Sequence, residues 1–451
     1  MEIKPTYSKN LTNKLITKTW WPLAVSWLMM SLETPMLSAV IARLPDPRIN
    51  LAAYGGVVAP IRTLIMAPVV MMLSASTALC KDWDTYRKLN RFMMILGGTL
   101  TVIHALLAFT PLYYVVVEGI LGVPAEVYEQ ARLGLMISTP VGWGVGFRRF
   151  NQGILIRNGH SNFIMGGTII RISGFGLVLV GGYLLGNIPG IVVEATALVV
   201  GVWGEAIFTG LRVRPVLRYQ VKTAPAAEPL IWRDFFGFYI PLAFTSLLTM
   251  VWSPIASAAI SRMPRAIDSL AVMPVINGLV FLFRSFGLAL NEVIVTLMDR
   301  PQAPNKLWRF SILVALATSL LIFLVILTPL SSLWFETVAA LAPDLAVLAR
   351  QAAWLVLLLP ALSAMRSWCQ GILLFGRKTR GISEAIVVSL LTLLAVFGAG
   401  ILLGNIVGVY VALAAYMLAN LTQSLWLWRR SKPVLNSIEK AESKALASPV
   451  S

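Results

Sequence analysis

The chain contains Gln152-Gly153-Ile154-Leu155 and, farther along, an identical Gln370-Gly371-Ile372-Leu373. We call the separation in sequence between Gln152 and Gln370 the repeat offset. At the same separation, Leu185-Gly186-Asn187-Ile188 is repeated as Leu403-Gly404-Asn405-Ile406. Chance apolar similarity would produce one such match, but not a series at one offset. Because repeats of this kind decide the fold, we interpret the chain as a tandem duplication. The remaining matches, at the repeat offset or one position beyond it, are Trp21-Pro22-Leu23-Ala24 with Ile240-Pro241-Leu242-Ala243, Pro35 with Pro254, Ala42-Arg43-Leu44-Pro45 with Ser261-Arg262-Met263-Pro264, Thr110-Pro111-Leu112 with Thr328-Pro329-Leu330, and Pro215-Val216-Leu217 with Pro433-Val434-Leu435.

The composition excludes a water-facing globular protein. Of the 451 residues, 57% are apolar and 13% are charged, whereas a soluble protein has about 25% charged residues. Cys80 and Cys369 lie far apart without metal-type spacing, so neither a disulfide framework nor a metal site is indicated. The composition therefore predicts a polytopic membrane protein.

Apolar segments of membrane-spanning length recur along the whole chain. A span needs about 20 apolar residues, and twelve segments meet this requirement. We predict an all-α protein with spans at 20–42, 51–79, 92–117, 130–156, 163–185, 189–211, 236–260, 269–298, 309–334, 346–375, 382–403 and 406–428.

Lys and Arg residues are distributed unevenly between the two sides of these spans. With a cytoplasmic N-terminus, 27 of the 37 lie in inside segments and six lie outside. The positive-inside rule therefore predicts that both termini are cytoplasmic, in a plasma membrane or bacterial inner membrane. The same bias explains most of the net charge of +17. We therefore expect membrane lipids, and no nucleic acid, as partners of the basic residues.

Each half has six spans, so both halves enter the membrane from the same side. The repeats are then parallel and related by a pseudo-two-fold axis along the membrane normal. Two such bundles suit a transporter that alternates access by rocking. The predicted organisation is a cytoplasmic N-terminal segment at 1–19, an N-lobe at 20–211, a cytoplasmic linker at 212–235, a C-lobe at 236–430 and a cytoplasmic tail at 431–451.

Several short stretches resemble a known family. Twelve spans in parallel repeats of six are similar to the multidrug/oligosaccharidyl-lipid/polysaccharide exporter superfamily, which includes the MATE exporters. Within it, the chain most resembles the progressive ankylosis protein family of anion exporters. The stretches that carry this likeness are Pro22-Leu23, Glu33, Leu51-Ala52-Ala53-Tyr54-Gly55 followed by Arg62, Gly153-Ile154-Leu155-Ile156-Arg157, and Asn291-Glu292-Val293-Ile294.

Ionisable residues at membrane depth are functional candidates, because each costs roughly 2.5 kcal/mol or more to insert. Arg148 and Arg366 occupy the same repeat position, four residues before each Gln-Gly-Ile-Leu, and we expect them to face a central cleft from opposite lobes. Guanidinium groups there would bind carboxylate or phosphate through bidentate hydrogen bonds. The residues predicted to bind substrate are Arg62, Arg148, Arg284, Arg366, Gln152 and Gln370.

A second set of buried groups is predicted to couple transport to an ion. A carboxylate in an apolar bundle can carry a proton, or bind a cation when ionised. We assign this role to Glu33 and Glu292, with His104 as a candidate relay. Glu205 is expected to be an interfacial group, and Glu194 to favour the N-terminus of its helix.

These features predict a secondary transporter that exports an organic or phosphorylated anion such as citrate, pyrophosphate or a nucleotide. No GxxxxGK[ST] loop is present, so direct use of ATP is not expected. Alternatives within the superfamily are a lipid-linked oligosaccharide flippase and a cationic drug antiporter driven by H⁺ or Na⁺. An enzyme is not expected, because DDxxD and HExxH patterns are absent. We expect a monomer without a cofactor, apart from H⁺ or Na⁺ as coupling ion.

Overall fold

The computed structural model describes residues 11–225 and 229–447, and its regular structure is entirely helical within those ranges. Met1 to Asn10, which include the predicted inside lysines Lys4 and Lys9, lie outside the described residues. Three short segments of the first half are π-helical: Tyr54–Val58, Val115–Leu121 and Leu217–Val221. The helices of the first half are α1 Asn13–Ser31, α2 Glu33–Ile41, α3 Pro47–Ala53, α4 Ala59–Val70, α5 Met72–Leu79, α6 Trp83–Phe109, α7 Leu112–Tyr114, α8 Tyr128–Ser138, α9 Val141–Arg157, α10 Asn162–Leu185 and α11 Gly190–Val216.

The second half repeats this order of elements. Its helices are α12 Trp232–Met250, α13 Trp252–Ser261, α14 Ala266–Leu288, α15 Leu290–Leu297, α16 Ala303–Leu327, α17 Leu330–Ser332, α18 Pro343–Ala353, α19 Leu359–Phe375, α20 Arg380–Leu403 and α21 Gly408–Ala447. Both ends of α9 and of α10 return at the repeat offset as the ends of α19 and of α20. The predicted all-α fold with two six-span repeats is therefore confirmed.

The backbone records the duplication independently of side-chain identity. Positive φ angles occur at Gly186 and Gly404, which are related by the repeat offset and end α10 and α20. Three other pairs of positive-φ residues are related by the same offset, to within one position, even though their side chains differ: Asp46 with Arg265, Gly122 with Ala340, and Gly159 with Arg377. A non-glycine side chain in this conformation is uncommon. The turns were thus kept while the residues changed.

Two prolines at equivalent positions explain a break in the first helix of each half. Pro35 lies four residues after the end of α1, and Pro254 lies four residues after the end of α12. A proline lacks the N–H for the intrahelical bond, and its ring clashes with the carbonyl four residues earlier. The helices are accordingly interrupted at Leu32 and Val251.

Within residues 11–225 and 229–447, ten helical segments are long and apolar enough to cross a membrane, and they overlap ten of the twelve predicted spans. The third and ninth predicted spans begin too late, and they also end too late, because Thr110 and Thr328 are extended and precede a proline that ends each helix. The other two predicted spans, 130–156 and 406–428, correspond to α8 with α9 and to α21. These helices carry more polar groups within the membrane, and several of those groups belong to the candidate site below.

Contacts divide the chain into two compact units. The central unit comprises Leu37–Ala271, and the terminal unit comprises the described residues up to Met36 together with those from Val272 onward. In the terminal unit, the Trp20 indole of α1 donates to the Phe286 carbonyl at 3.1 Å. In the central unit, the Tyr239 hydroxyl of α12 donates to the Pro68 carbonyl at 2.8 Å. The first helix of each half therefore packs with helices of the other half, while the lobe boundaries predicted from the repeat stay a prediction.

Candidate functional site

In the central unit, Arg62 of α4 forms a buried ion pair with Glu194 of α11. The Arg62 Nη1 and Glu194 Oε1 atoms are 2.9 Å apart, and the two residues are 6% and 1% exposed. His104 of α6 is also buried, and the charge of Arg62 acts on it. Glu194 therefore neutralises Arg62 within the protein.

A larger polar cluster in the central unit is centred on Glu205 of α11, which is 1% exposed. Its Oε2 atom forms ion pairs with Arg148 of α9 and, at 3.1 Å, with the Nε atom of Arg171 of α10. Its Oε1 atom accepts a hydrogen bond from Gln152 Nε2 at 2.9 Å. The charges of Arg148, Arg171 and Glu205 also act on Arg149. We call Arg148, Gln152, Arg171 and Glu205 the Glu205 cluster.

In the terminal unit, Arg284 of α14 and Arg366 of α19 are bound by neutral groups. The Arg284 Nε atom donates to Ser363 Oγ at 2.7 Å, and its guanidinium also contacts the Tyr416 hydroxyl and lies 5.2 Å from the centroid of the Tyr416 ring. Arg366 Nη1 donates to Asn420 Oδ1 at 3.2 Å and to Gln423 Oε1 at 3.3 Å. We call these six residues the arginine pocket: Arg284, Ser363, Arg366, Tyr416, Asn420 and Gln423.

Within the described residues, no carboxylate contacts either arginine of the pocket. Arg284 is 8% exposed and Arg366 is partly buried. Arg366 lies close enough for its charge to act on Arg284. Two like charges are thus held near each other, and no carboxylate among the described residues compensates them, which is unfavourable in a low-dielectric environment.

The repeat shows how the two arginine sites differ. The repeat offset aligns Arg148 with Arg366 and Glu205 with Gln423. In both halves the arginine contacts the residue aligned with position 205, but the first half supplies a carboxylate and the second half a neutral amide. The second half therefore keeps the contact and lacks the compensating charge.

The structure brings four of the six predicted substrate residues together in two pairs, and Arg62 lies apart from both with Glu194. It brings Arg148 and Gln152 together on Glu205, and it brings Arg284 and Arg366 together in the terminal unit. Gln370 follows Arg366 by one helical turn and is partly buried. Its predicted role as a substrate ligand stays a prediction.

The three predicted coupling residues lie on different helices. Glu33 is the first residue of α2 and is partly buried. Glu292 lies in α15 and is exposed. Both carboxylates belong to the terminal unit, and His104 belongs to the central unit. Their coupling roles stay predictions.

One expectation about an acidic residue was wrong, and another was incomplete. Glu205 is fully buried and binds two arginines, so it is not an interfacial group. Glu194 does lie in the first turns of α11, but it is paired with Arg62. The polar residues Ser363, Tyr416, Asn420 and Gln423 were also missed. The repeat alignment of Glu205 with Gln423 is the signal that would have identified Gln423.

Comparison with solved structures gives many matches over nearly the whole chain. An inward-facing multidrug resistance MATE family transporter of the MOP superfamily has a TM-score of 0.67 at 16% identity, with 92% of this chain and 98% of that chain covered. The fold is that of the MATE transporters. The lipid II flippase MurJ in an inward closed conformation has a TM-score of 0.66 at 14% identity, covering 96% of this chain and 91% of that one.

A third similar structure is a MOP superfamily transporter from Pyrococcus furiosus, described by a reversed polarity of its binding pocket that suggests a different function. It has a TM-score of 0.58 at 16% identity and covers 95% of this chain and 99% of that one. No protein-family model matches the sequence, and no curated protein matches it. The predicted MATE-like superfamily fold is confirmed by these structures, and the likeness to the progressive ankylosis family stays a prediction.

Proposed function

We propose that this MATE-fold protein is a secondary transporter that exports an organic or phosphorylated anion, with citrate, pyrophosphate and nucleotides as the substrate class. One observation carries the proposal: among the described residues, Arg284 and Arg366 lie in one cluster in which only neutral groups contact them. Arginine binds carboxylate and phosphate through the planar array of N–H donors of its guanidinium group. The arginine pocket offers two guanidinium groups to one polyvalent anion.

The charge of the pocket also weighs against a cationic substrate. A buried ion carries a desolvation penalty of several kcal/mol unless an opposite charge compensates it. A cationic drug would add to the uncompensated charge of Arg284 and Arg366, whereas a divalent anion would neutralise it. The reversed pocket polarity described for the Pyrococcus furiosus transporter indicates that this fold accommodates different pocket charges.

The transport cycle follows from the parallel repeats. We propose that the lobes rock against each other to alternate access, and that Glu33, Glu292 and His104 couple the cycle to H⁺ or Na⁺. The charge bias favours both termini in the cytoplasm, below a plasma membrane or bacterial inner membrane, and the transporter acts as a monomer. No covalent step is involved, so the protein is not an enzyme.

A lipid-linked oligosaccharide flippase is the second candidate. The MurJ flippase has a similar fold, and two arginines suit a pyrophosphate whether or not it carries a lipid. The two functions differ in the rest of the substrate: a flippase moves a lipid-linked pyrophosphate, whereas the proposed exporter moves the water-soluble anion alone.

The test is transport by the full chain in proteoliposomes, with citrate, pyrophosphate, ATP and a cationic dye as probes. We expect transport of at least one anion and none of the dye. Arg284→Gln and Arg366→Gln should each weaken anion binding by about 10- to 150-fold, from roughly 1.5–3 kcal/mol for a charged hydrogen bond. Because both residues would contact one anion, the double variant should cost less than the sum of the single effects.

Arg350→Gln is the matched control. Arg350 also lies in the terminal unit and donates to Ser332 Oγ, but it is outside the arginine pocket. We expect its transport to equal that of the wild type. Transport of the dye alone would contradict the anion proposal, and movement of a fluorescent lipid-linked pyrophosphate without movement of free pyrophosphate would favour the flippase.

A further inference from the structure

A small cavity lies in the terminal unit, away from the arginine pocket and unused by the proposed transport mechanism. Its volume is about 140 Å³, and its wall includes Trp308 of α16, Trp368 of α19, and Trp428, Ser431 and Lys432 of α21. That volume is close to the ~150 Å³ of an engineered protein cavity that holds a benzene-sized ligand. The cavity can therefore accept a chemical group rather than a single water molecule.

The position of this cavity along α21 places it at a membrane surface. The apolar part of α21 begins at Gly408. At about 1.5 Å per residue, Trp428 lies about 30 Å farther along the helix, which is the thickness of the hydrocarbon core of a bilayer. Tryptophan is enriched at this depth because its ring is apolar and its N–H group is polar. The cavity thus opens at the headgroup level, on the side that the charge bias predicts to be cytoplasmic.

The chemistry of the cavity selects an anionic group. The Lys432 Nζ atom lies 3.6 Å from the centroid of the Trp428 ring, which holds the cation over the aromatic wall. None of the residues that line the cavity is acidic, and no described carboxylate pairs with Lys432. Trp308 and Trp368 contact each other with ring centroids 5.4 Å apart and form the apolar side. The part of the wall at Lys432 therefore suits a phosphate, and the part at Trp308 and Trp368 suits a glycerol backbone or acyl chain.

We propose that this cavity binds the phosphate headgroup of an anionic phospholipid from the adjoining leaflet. Lys432 pairs with the phosphate, and the tryptophans hold the glycerol end of the lipid. Anionic lipids attract basic groups at the membrane surface, and each such group contributes about fivefold to binding. A soluble phosphate would lack the apolar part that the tryptophan wall accommodates.

The test measures the thermal unfolding midpoint of the purified full chain in detergent, with increasing dioleoyl phosphatidylglycerol. We expect a larger rise in midpoint than with dioleoyl phosphatidylcholine, and no rise with inorganic phosphate or glycerol phosphate. Lys432→Gln should raise the half-saturating phosphatidylglycerol concentration about fivefold. Lys440→Gln, which changes an exposed lysine of the same helix outside the cavity, should bind like the wild type.

Trp428→Phe is a second variant that keeps an aromatic ring at the site, and we expect it to weaken phosphatidylglycerol binding less than Lys432→Gln does. Equal effects of Lys432→Gln and Lys440→Gln would overturn the proposal, because the lipid would then be responding to general surface charge. An equal rise with inorganic phosphate would overturn the assignment to a lipid. A Lys432→Gln variant that loses lipid response and still transports its anion would separate this site from the arginine pocket.

Discussion

Arg148 and Arg366 occupy the same position in the two halves of the molecule, on α9 and α19, but only Arg148 has a carboxylate partner among the described residues. Arg148 pairs with the buried carboxylate of Glu205, and Arg366 contacts the amide of Gln423 at the equivalent position. The side chains of Glu and Gln have the same shape, so a single change of chemical group separates a neutralised site from a positively charged one. The geometry of the contact is a property of the fold, whereas its charge is a property of each half.

The Glu205 cluster joins three helices of the central unit. Glu205 on α11 holds Arg148 and Gln152 on α9 and Arg171 on α10. A buried carboxylate with this many partners stabilises the fold, because its removal leaves the cations that it neutralises without a counter-charge. The arginine pocket of the terminal unit has no such element among the described residues, and its charge is available to a ligand.

The largest expected effect is on the stability of the Glu205 cluster. Glu205→Gln keeps the shape of the side chain and leaves Arg148 and Arg171 without their carboxylate. Loss of one partner from a buried ion pair costs about 3–5 kcal/mol, so we expect a strongly lowered unfolding midpoint and little folded protein on size-exclusion chromatography. The measurement is the midpoint of the purified full chain against that of the wild type.

Glu384→Gln is the control for this variant. Glu384 also binds two arginines, Arg380 at 3.2 Å and Arg430 at 2.5 Å, but near the start of α20, where both arginine side chains are exposed and Glu384 is only partly buried. Exposed ion pairs contribute little to stability, so we expect a midpoint close to that of the wild type. If Glu205→Gln were as stable as Glu384→Gln, the first half would not depend on internal neutralisation, and the comparison between the halves would fail.

The next largest effect is expected from making the second half resemble the first. Gln423→Glu places a carboxylate beside Arg366 and competes with the substrate for the guanidinium. We expect the half-saturating pyrophosphate or citrate concentration to rise about 10- to 100-fold, because a charged hydrogen bond contributes roughly 1.5–3 kcal/mol. Binding to the purified protein at fixed ionic strength measures this change.

Gln423→Met separates charge from shape, since it removes the amide without adding a carboxylate. We expect it to bind the anion nearly as well as the wild type. Equal weakening by Gln423→Glu and Gln423→Met would mean that the amide acts through packing, and the charge difference between the halves would then have no role in substrate binding.

Much of the fold was predictable because it depends on properties that a single sequence displays. The spans follow from runs of apolar residues, and the duplication follows from matches such as Gln152 with Gln370 at one offset. The ends of the third and ninth spans were misplaced because apolar residues continue past Thr110 and Thr328. The proline that follows each threonine ends the helix there.

The site was less predictable because it depends on which helix faces which. Composition identified Arg148 and Glu205 as charged groups at membrane depth but did not show that α9 and α11 bring them together. The partners of Arg284 are neutral residues, Ser363 and Tyr416, which are common in membrane helices and give no signal by themselves. Pairing between helices requires the three-dimensional structure, except where the repeat already aligns the positions.

The third prediction concerns the coupling role of the two carboxylates of the terminal unit, Glu33 and Glu292. Glu33→Gln and Glu292→Gln each remove a titrating site and leave Arg284 and Arg366 unchanged. We expect driven transport to slow by about fivefold, the lower end of typical coupling between two sites, while equilibrium binding of the anion stays at the wild-type value. Transport under an imposed pH or Na⁺ gradient, compared with binding in its absence, measures the two effects separately.

Unchanged driven transport in both variants would remove Glu33 and Glu292 from the coupling mechanism. His104→Gln then tests the remaining candidate, which is buried in the central unit near Arg62. An effect of His104→Gln alone would place coupling in the central unit, where Glu194 and Glu205 neutralise the arginines, and the division of roles between the two units would need to be reversed.

The smallest effect is expected at Tyr416, which the repeat offset aligns with Leu198 of the first half. Tyr416 touches Arg284 in two ways, through its hydroxyl and through its ring face 5.2 Å from the guanidinium. Tyr416→Phe removes the hydroxyl and keeps the ring, so we expect about threefold weaker anion binding, within the ~0.5–1.5 kcal/mol of one hydrogen bond. Tyr416→Leu introduces the residue of the first half and removes the cation–π contact as well, which contributes about 0.5–1 kcal/mol or more. We therefore expect Tyr416→Leu to bind the anion less well than Tyr416→Phe. The reverse order, or equal binding by both variants and the wild type, would show that Tyr416 does not position Arg284 and that the second half relies on Ser363 alone for this purpose.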